Sequence, residues 1–183
     1  MNAPLEITLD AKLNLAKIGL NTVIKARATK ETPWLLDLLK ELNEKASALL
    51  PASVVLAQSQ IELVSEITKR FKGEIGEYLL VKGTLTATYA TECVRTLKPM
   101  TESLSAEFKV CFAPKALLES EEYAESAEIW TDNDTWELYG YERHQIDIAE
   151  MVHEQAYLNY NYYPRIEEEK ALDEAGPDDE PLQ

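Results

Sequence analysis

Two alternating stretches, residues 79–93 and 100–112, constrain this chain more than any other feature. In the first, Leu79, Val81, Leu85, Ala87, Tyr89 and Cys93 share one parity, and Lys82, Thr84, Thr86, Thr88 and Glu92 share the other. In the second, Met100, Leu104, Ala106, Phe108, Val110 and Phe112 lie opposite Thr101, Ser103, Ser105, Glu107 and Lys109. Side chains of a strand point alternately to its two faces, so each stretch reads as a strand with one face for a core. The link between them, VRTLKP, is short and ends on Pro99, so the pair reads as an antiparallel hairpin. Arg95 and Lys98 then stand at its tip, beside Cys93 at the strand end.

The rest of the chain supplies what could cover that sheet. TPWLLDLLKELNEKASALLP reads as a helix over 33–49, with Thr32 as cap, Pro33 in the first turn and Pro51 after the end. Trp34, Leu35, Leu38, Leu39 and Leu42 give it one apolar face. Residues 147–157 read as a second helix, capped by Asp147, with Ile148, Met151, Val152, Gln155 and Ala156 on one side. Short strands are expected at 4–9 and, more weakly, 21–28. The β-branched stretch 53–70 predicts a long strand, with a helix as the alternative for ELVSEITKRF. Residues 115–128 read as helical or loose and acidic, and WTDNDTWELYGYERHQ as a strand region turning at its Asp/Asn cluster. The expected fold is α+β: a bent antiparallel sheet with the hairpin at its centre, packed by an N-terminal-half helix and a C-terminal helix. Residues 1–163 would form one globular domain. Residues 164–183, rich in Pro, Gly and acid, would form a disordered tail, with 167–183 dispensable for folding.

Charge narrows the partners. The net charge is −15, but residues 1–98 hold 13 Lys+Arg against 11 Asp+Glu, whereas residues 99–183 hold 5 against 22. Phosphate is repelled by an acidic surface, so the chain is not built to wrap nucleic acid, although a local basic patch in the first half stays possible. The acidic half suits a basic partner. MNAPLEITLD has neither a basic nor an apolar leader region, and no run of 18 apolar residues occurs, so a cytoplasmic protein with Cys93 and Cys111 reduced is expected.

Few residues point to catalysis. A nucleophilic thiol at Cys93 would need a base, and the two histidines, His144 and His153, are remote in sequence. A zinc site would have to assemble Cys93, Cys111, His144 and His153 without any CxxC pair. No HExxH, GxSxG or phosphate-cradling glycine loop occurs. Cys93 reads as a buried small residue, and the chain as neither a metal nor a cofactor protein. The positive candidates are Arg95 and Lys98 at the hairpin tip, and Lys69, Arg70 and Lys72 at another turn, which could contact phosphate. The bland reading of each is a solvated turn charge. The NYNYY run at 159–163 adjoins the acidic tail and suits packing or a protein contact.

Three motifs in order resemble a known family. Gly83, Leu85, Ala87, Cys93, Arg95 and Leu97 give G-x-L-x-A-x5-C-x-R-x-L; Glu107–Pro114 give EFKVCFAP; Gln145–Val152 give QIDIAEMV, followed by Tyr163-Pro164. This order is similar to the YceD-like family of large ribosomal RNA subunit accumulation proteins. The resemblance implies a non-enzymatic role in synthesis, processing or stability of 23S rRNA, and so in large-subunit assembly. It keeps Cys93, Arg95 and Leu97 in a loop with a structural or recognition role, to which the tip position adds Lys98 as a recognition residue, and the partner would be precursor rRNA or a basic ribosomal protein or assembly factor. One departure is Thr96, where the family carries a second cysteine; any zinc held through that cysteine in relatives is not expected here. The other readings are an acidic protein-interaction module unrelated to ribosomes and, more remotely, a thiol enzyme at Cys93.

Overall fold

The computed structural model describes residues 6–168 and 170. In chain order the elements are β1 (Glu6–Thr8), β2 (Lys12–Asn14), β3 (Val23–Thr29), α1 (Pro33–Leu42), α2 (Glu44–Ser47), α3 (Ala52–Gln58), β4 (Gln60–Lys72), β5 (Gly76–Glu92) and β6 (Pro99–Pro114). Then follow α4 (Lys115–Leu118), β7 (Glu128–Thr131), β8 (Asp134–Tyr141), β9 (Gln145–Asp147) and α5 (Ile148–Leu158). Seven strands form one sheet in the order β1-β3-β4-β5-β6-β8-β7, while β2 and β9 pair separately. The expected hairpin is β5–β6, paired from Leu79↔Phe112 to Glu92↔Pro99 at the middle of that sheet. The sheet is mixed: β3 through β6 are antiparallel, but β1–β3 and β6–β8 run parallel. Among the described residues no helix is long and apolar enough to cross a membrane.

The two faces of β5 serve two cores. Leu79, Val81, Leu85, Ala87 and Tyr89 join Leu104, Ala106, Phe108, Val110 and Phe112 under Leu35, Leu38, Leu39 and Leu42 of α1 and Met151, Val152 and Ala156 of α5. On the opposite face, Tyr78 and Leu80 join Cys111, Ala113, Ile129, Trp136 and Leu138 in a smaller core. Burial of each large apolar side chain contributes about 1.5–3 kcal/mol. Asp147 caps α5 through its Oδ1, which accepts the Glu150 N–H at 2.9 Å. Asp132 and Asn133, at φ 51° and 60°, form the left-handed two-residue turn that joins β7 to β8.

Three local expectations are corrected. The helix predicted over 33–49 divides into α1 and α2 at Asn43, a buried residue. Its Oδ1 accepts the Ala90 N–H at 2.7 Å and lies 3.0 Å from the Ser59 hydroxyl. A buried backbone N–H left unmade costs about 1–3 kcal/mol, so this peg outweighs continuing the helix. Thr32 stands at the expected cap position, but its hydroxyl accepts the Thr29 N–H instead of one from the helix. The strand predicted over 53–70 begins only at Gln60; residues 53–58 belong to α3. Pro51 opens that helix, Val55 packs with Ala46 and Ala90, and Ser59 ends it in extended backbone. Tertiary packing there overrides β propensity.

Gly83 is a point of close approach within the sheet: it sits in register with Ser65 and Phe108, and Ser65 with Ala26. A Cβ at Gly83 would lie 2.5 Å from the Val64 carbonyl oxygen and 3.0 Å from the Phe108 ring. Because the obstacle is backbone, Gly83→Ala is expected to lower stability by about 1–3 kcal/mol, read as a lower urea midpoint. An unchanged midpoint would show that the close approach is not rigid.

Candidate functional site

The hairpin tip is a closed loop. The Cys93 N–H donates to the Lys98 carbonyl and the Leu97 N–H to the Cys93 carbonyl, each at 2.9 Å, with Leu97 in the left-handed region at φ 57°. The chain after α5 returns across it: the Val94 N–H donates to the carbonyl of Pro164, itself buried, at 3.0 Å. The tail expected from residue 164 therefore has its first residue in contact with the tip; residues 169 and 171–183 lie outside the described residues. Arg95, Leu97 and Lys98 are all exposed, as is Val94. Tyr162 and Tyr163 are exposed as well, Tyr163 at 76%. Behind them Tyr160 stacks on the buried Tyr89 at 5.4 Å and meets the edge of Tyr162 at 4.9 Å, so an aromatic ladder runs from core to surface.

Cys93 is fully buried beneath this loop. The polar surroundings of the loop, Thr96 first and then the backbone at Ile166 and Arg95, hold its thiol below the ordinary range. Cys111 lies in the smaller core, paired with Leu80, and burial pushes its thiol up to about 12. Among the described residues no group of three or more His, Cys, Asp or Glu side chains is placed to hold a metal ion. His153 instead meets Glu41 at 2.7 Å, and His144 lies 3.8 Å from Glu77.

The three cations expected at the other turn separate. Lys69 is buried; its Nζ donates to the Leu15 carbonyl at 3.1 Å and pairs with Glu77 at 3.0 Å. Arg70 donates to Asn21 Oδ1 at 2.8 Å and faces Asp132 at 3.5 Å, while Lys72 is exposed. The same pairing recurs across the sheet. A shallow trough of about 670 Å³ on its outer face crosses Lys25, Glu66, Lys82 and Lys109, with Lys82–Glu66 at 3.1 Å and Lys109–Asp134 at 2.8 Å. Lys109 holds the Asp134 carboxyl below its usual value. In contrast, Glu119, Glu121, Glu122, Glu125 and Glu128 are all exposed in one segment. Sequence alone could not separate these cases, because the partners of the paired cations come from other elements of the chain.

Burial gives Cys93 its testable property. Neither Cys93 nor Cys111 is expected to react with a bulky disulfide reagent in the folded protein, and both should react once urea unfolds it. Cys93→Ser should lower stability by about 1–2 kcal/mol. Native-state labelling of Cys93 at the rate of a free thiol would contradict the closed loop.

Residues 81–182 match the family described as Large ribosomal RNA subunit accumulation protein YceD. No curated protein and no solved structure matches the chain.

Proposed function

Because the chain belongs to the YceD family of large ribosomal RNA subunit accumulation proteins, we propose that it supports accumulation of large-subunit ribosomal RNA as a non-enzymatic binding factor. Its direct partner on this reading is a basic protein of the assembling subunit, met by the acidic half. The observation that carries this is the distribution of paired charge. Nine lysines and arginines, Lys12, Arg27, Lys40, Lys69, Arg70, Lys82, Lys109, Lys115 and Lys170, are ion-paired within the chain. Cations held by carboxylates offer little to phosphate, whereas the exposed glutamates of 119–128 set a field that attracts a basic surface. A factor of this kind would keep a basic protein soluble and deliver it to the RNA, and unprotected RNA would otherwise be lost.

The tip favours a second contact. Arg95, Leu97 and Lys98 stand exposed, and the segment that carries the exposed Tyr162 and Tyr163 is joined to the tip by the Val94–Pro164 bond, which supports a surface of cationic, aliphatic and aromatic groups. Arginine binds phosphate through a planar fork, and tyrosine rings stack on unpaired bases. On this second reading the recognition loop touches the RNA while the acidic half holds the protein.

A tagged pull-down scored with and without ribonuclease separates the two contacts. Ribosomal proteins retained after ribonuclease are expected; loss of all of them would overturn the first reading. Arg95→Glu should leave the melting temperature nearly unchanged and weaken RNA capture by about 1–3 kcal/mol. Unchanged RNA capture by a stable Arg95→Glu protein would remove the second.

A further inference from the structure

The sheet leaves one face uncovered at its β7–β8 edge. Ile129 and Thr131 are buried, so Glu128 and Trp130 project from the other face of β7, and Trp130 is 67% exposed. The other two tryptophans differ: Trp34 is half-buried with its N–H on the Leu9 carbonyl, and Trp136 is buried with its N–H on the Thr131 carbonyl. Trp130 pairs with Thr135, and Glu128 pairs directly with Glu137. Like charges placed opposite each other destabilise a strand pair, so this register, which the buried Ile129–Trp136 pair and the Asp132-Asn133 turn impose, carries a local cost. The next residue of that face on β8, Tyr139, donates to Glu154 of α5 at 2.7 Å, and Gln155 donates to Glu137 at 2.7 Å. Neutral donors therefore orient the carboxylates of Glu137 and Glu154. Among the described residues, no lysine or arginine is ion-paired with Glu128, Glu137 or Glu154.

We propose that this face, with Trp130 at its centre and Glu128 and Glu137 beside it, binds an arginine-bearing extended segment of a basic protein. The inference rests on the reading above that the direct partner is a basic protein, and it names the surface and the side chain recognised. Arginine fits both halves of the site: its guanidinium stacks on the tryptophan ring and offers paired donors to a carboxylate. A charge brought between Glu128 and Glu137 also relieves their repulsion, which turns a cost of the free protein into affinity. The contact is made by side chains on the face rather than by adding a strand. Ser126 brackets the Glu128 backbone, donating to its carbonyl at 2.7 Å and accepting its N–H at 3.3 Å, which closes that part of the edge. A second copy of the chain would bring glutamates against glutamates. A metal ion lacks a ligand group here, since no set of three metal-binding side chains is gathered among the described residues.

The test uses the full chain and a labelled peptide of alternating arginine and glycine, followed by fluorescence anisotropy. Trp130→Ala and Glu128→Lys should each weaken binding by about tenfold. Glu107→Lys makes the same charge change on the opposite sheet face and should leave affinity within about twofold, and a lysine–glycine peptide should bind more weakly than the arginine one. Equal losses from Glu107→Lys and Glu128→Lys would show diffuse attraction and overturn the site, as would full binding by Trp130→Ala. In both of those outcomes the wild type still binds, so the basic-partner reading stands. A wild type that binds neither peptide, and retains no ribosomal protein after ribonuclease, would overturn that reading instead.

Discussion

Strand β5 must bury both of its faces, and not against the same layer. Leu79, Val81, Leu85, Ala87 and Tyr89 face the helices, while Tyr78 and Leu80 face the smaller core built with β7 and β8. The two layers differ: α1 and α5 cover the larger core, whereas Leu117 and Leu118 of α4 pack on the smaller one. At Gly83 the strands approach closely, along a row Ala26–Ser65–Gly83–Phe108 that carries small residues and one ring. The hairpin tip lies at the Glu92–Pro99 end of β5 and β6, away from the Tyr78 and Leu80 end that builds the smaller core. The tip and the Trp130 face thus end up as separate surfaces of one sheet.

Charge is arranged around that sheet in two ways. Over the N-terminal strands, cations and carboxylates alternate in register, as in Lys25, Glu66 and Lys82, and neutralise each other. Toward β7 the carboxylates lose their cationic neighbours, and their lone pairs are met by Tyr139 and Gln155 instead. Exposed ion pairs add little stability, about 0–1 kcal/mol each, so the pairing matters more for what it hides from a partner than for folding. The protein offers its surroundings a negative edge and a small mixed tip.

The tip shows how a buried thiol can be structural without being inert filler. Cys93 closes the loop through its backbone, donating to the Lys98 carbonyl and accepting the Leu97 N–H, and the neighbouring Val94 N–H reaches Pro164 in the chain that returns from α5. With Thr96 rather than cysteine at the fourth position of the loop, those donors fix a conformation and assemble no ligand set. The exposed residues of the loop, Arg95, Leu97 and Lys98, are held in place by this arrangement and by the Val94–Pro164 bond.

The sequence by itself determined the central hairpin, the faces of its two strands, the α5 helix with its Asp147 cap, the Asp132-Asn133 turn and the burial of Cys93. Each of these follows from local periodicity or from one residue's backbone preference, which need no knowledge of neighbours. The tertiary structure decided the break at Asn43, the helical state of 53–58, the parallel pairings at both ends of the sheet and the fate of Lys69, Arg70 and Lys72. It also brought Pro164 onto the tip and Glu128 opposite Glu137. These depend on partners far along the chain: Asn43 reaches Ala90, Lys69 reaches Leu15, and Glu128 meets a residue on another strand. A charged side chain reads the same in sequence whether it is spent in an ion pair or presented to a partner, and only its neighbours in space decide which.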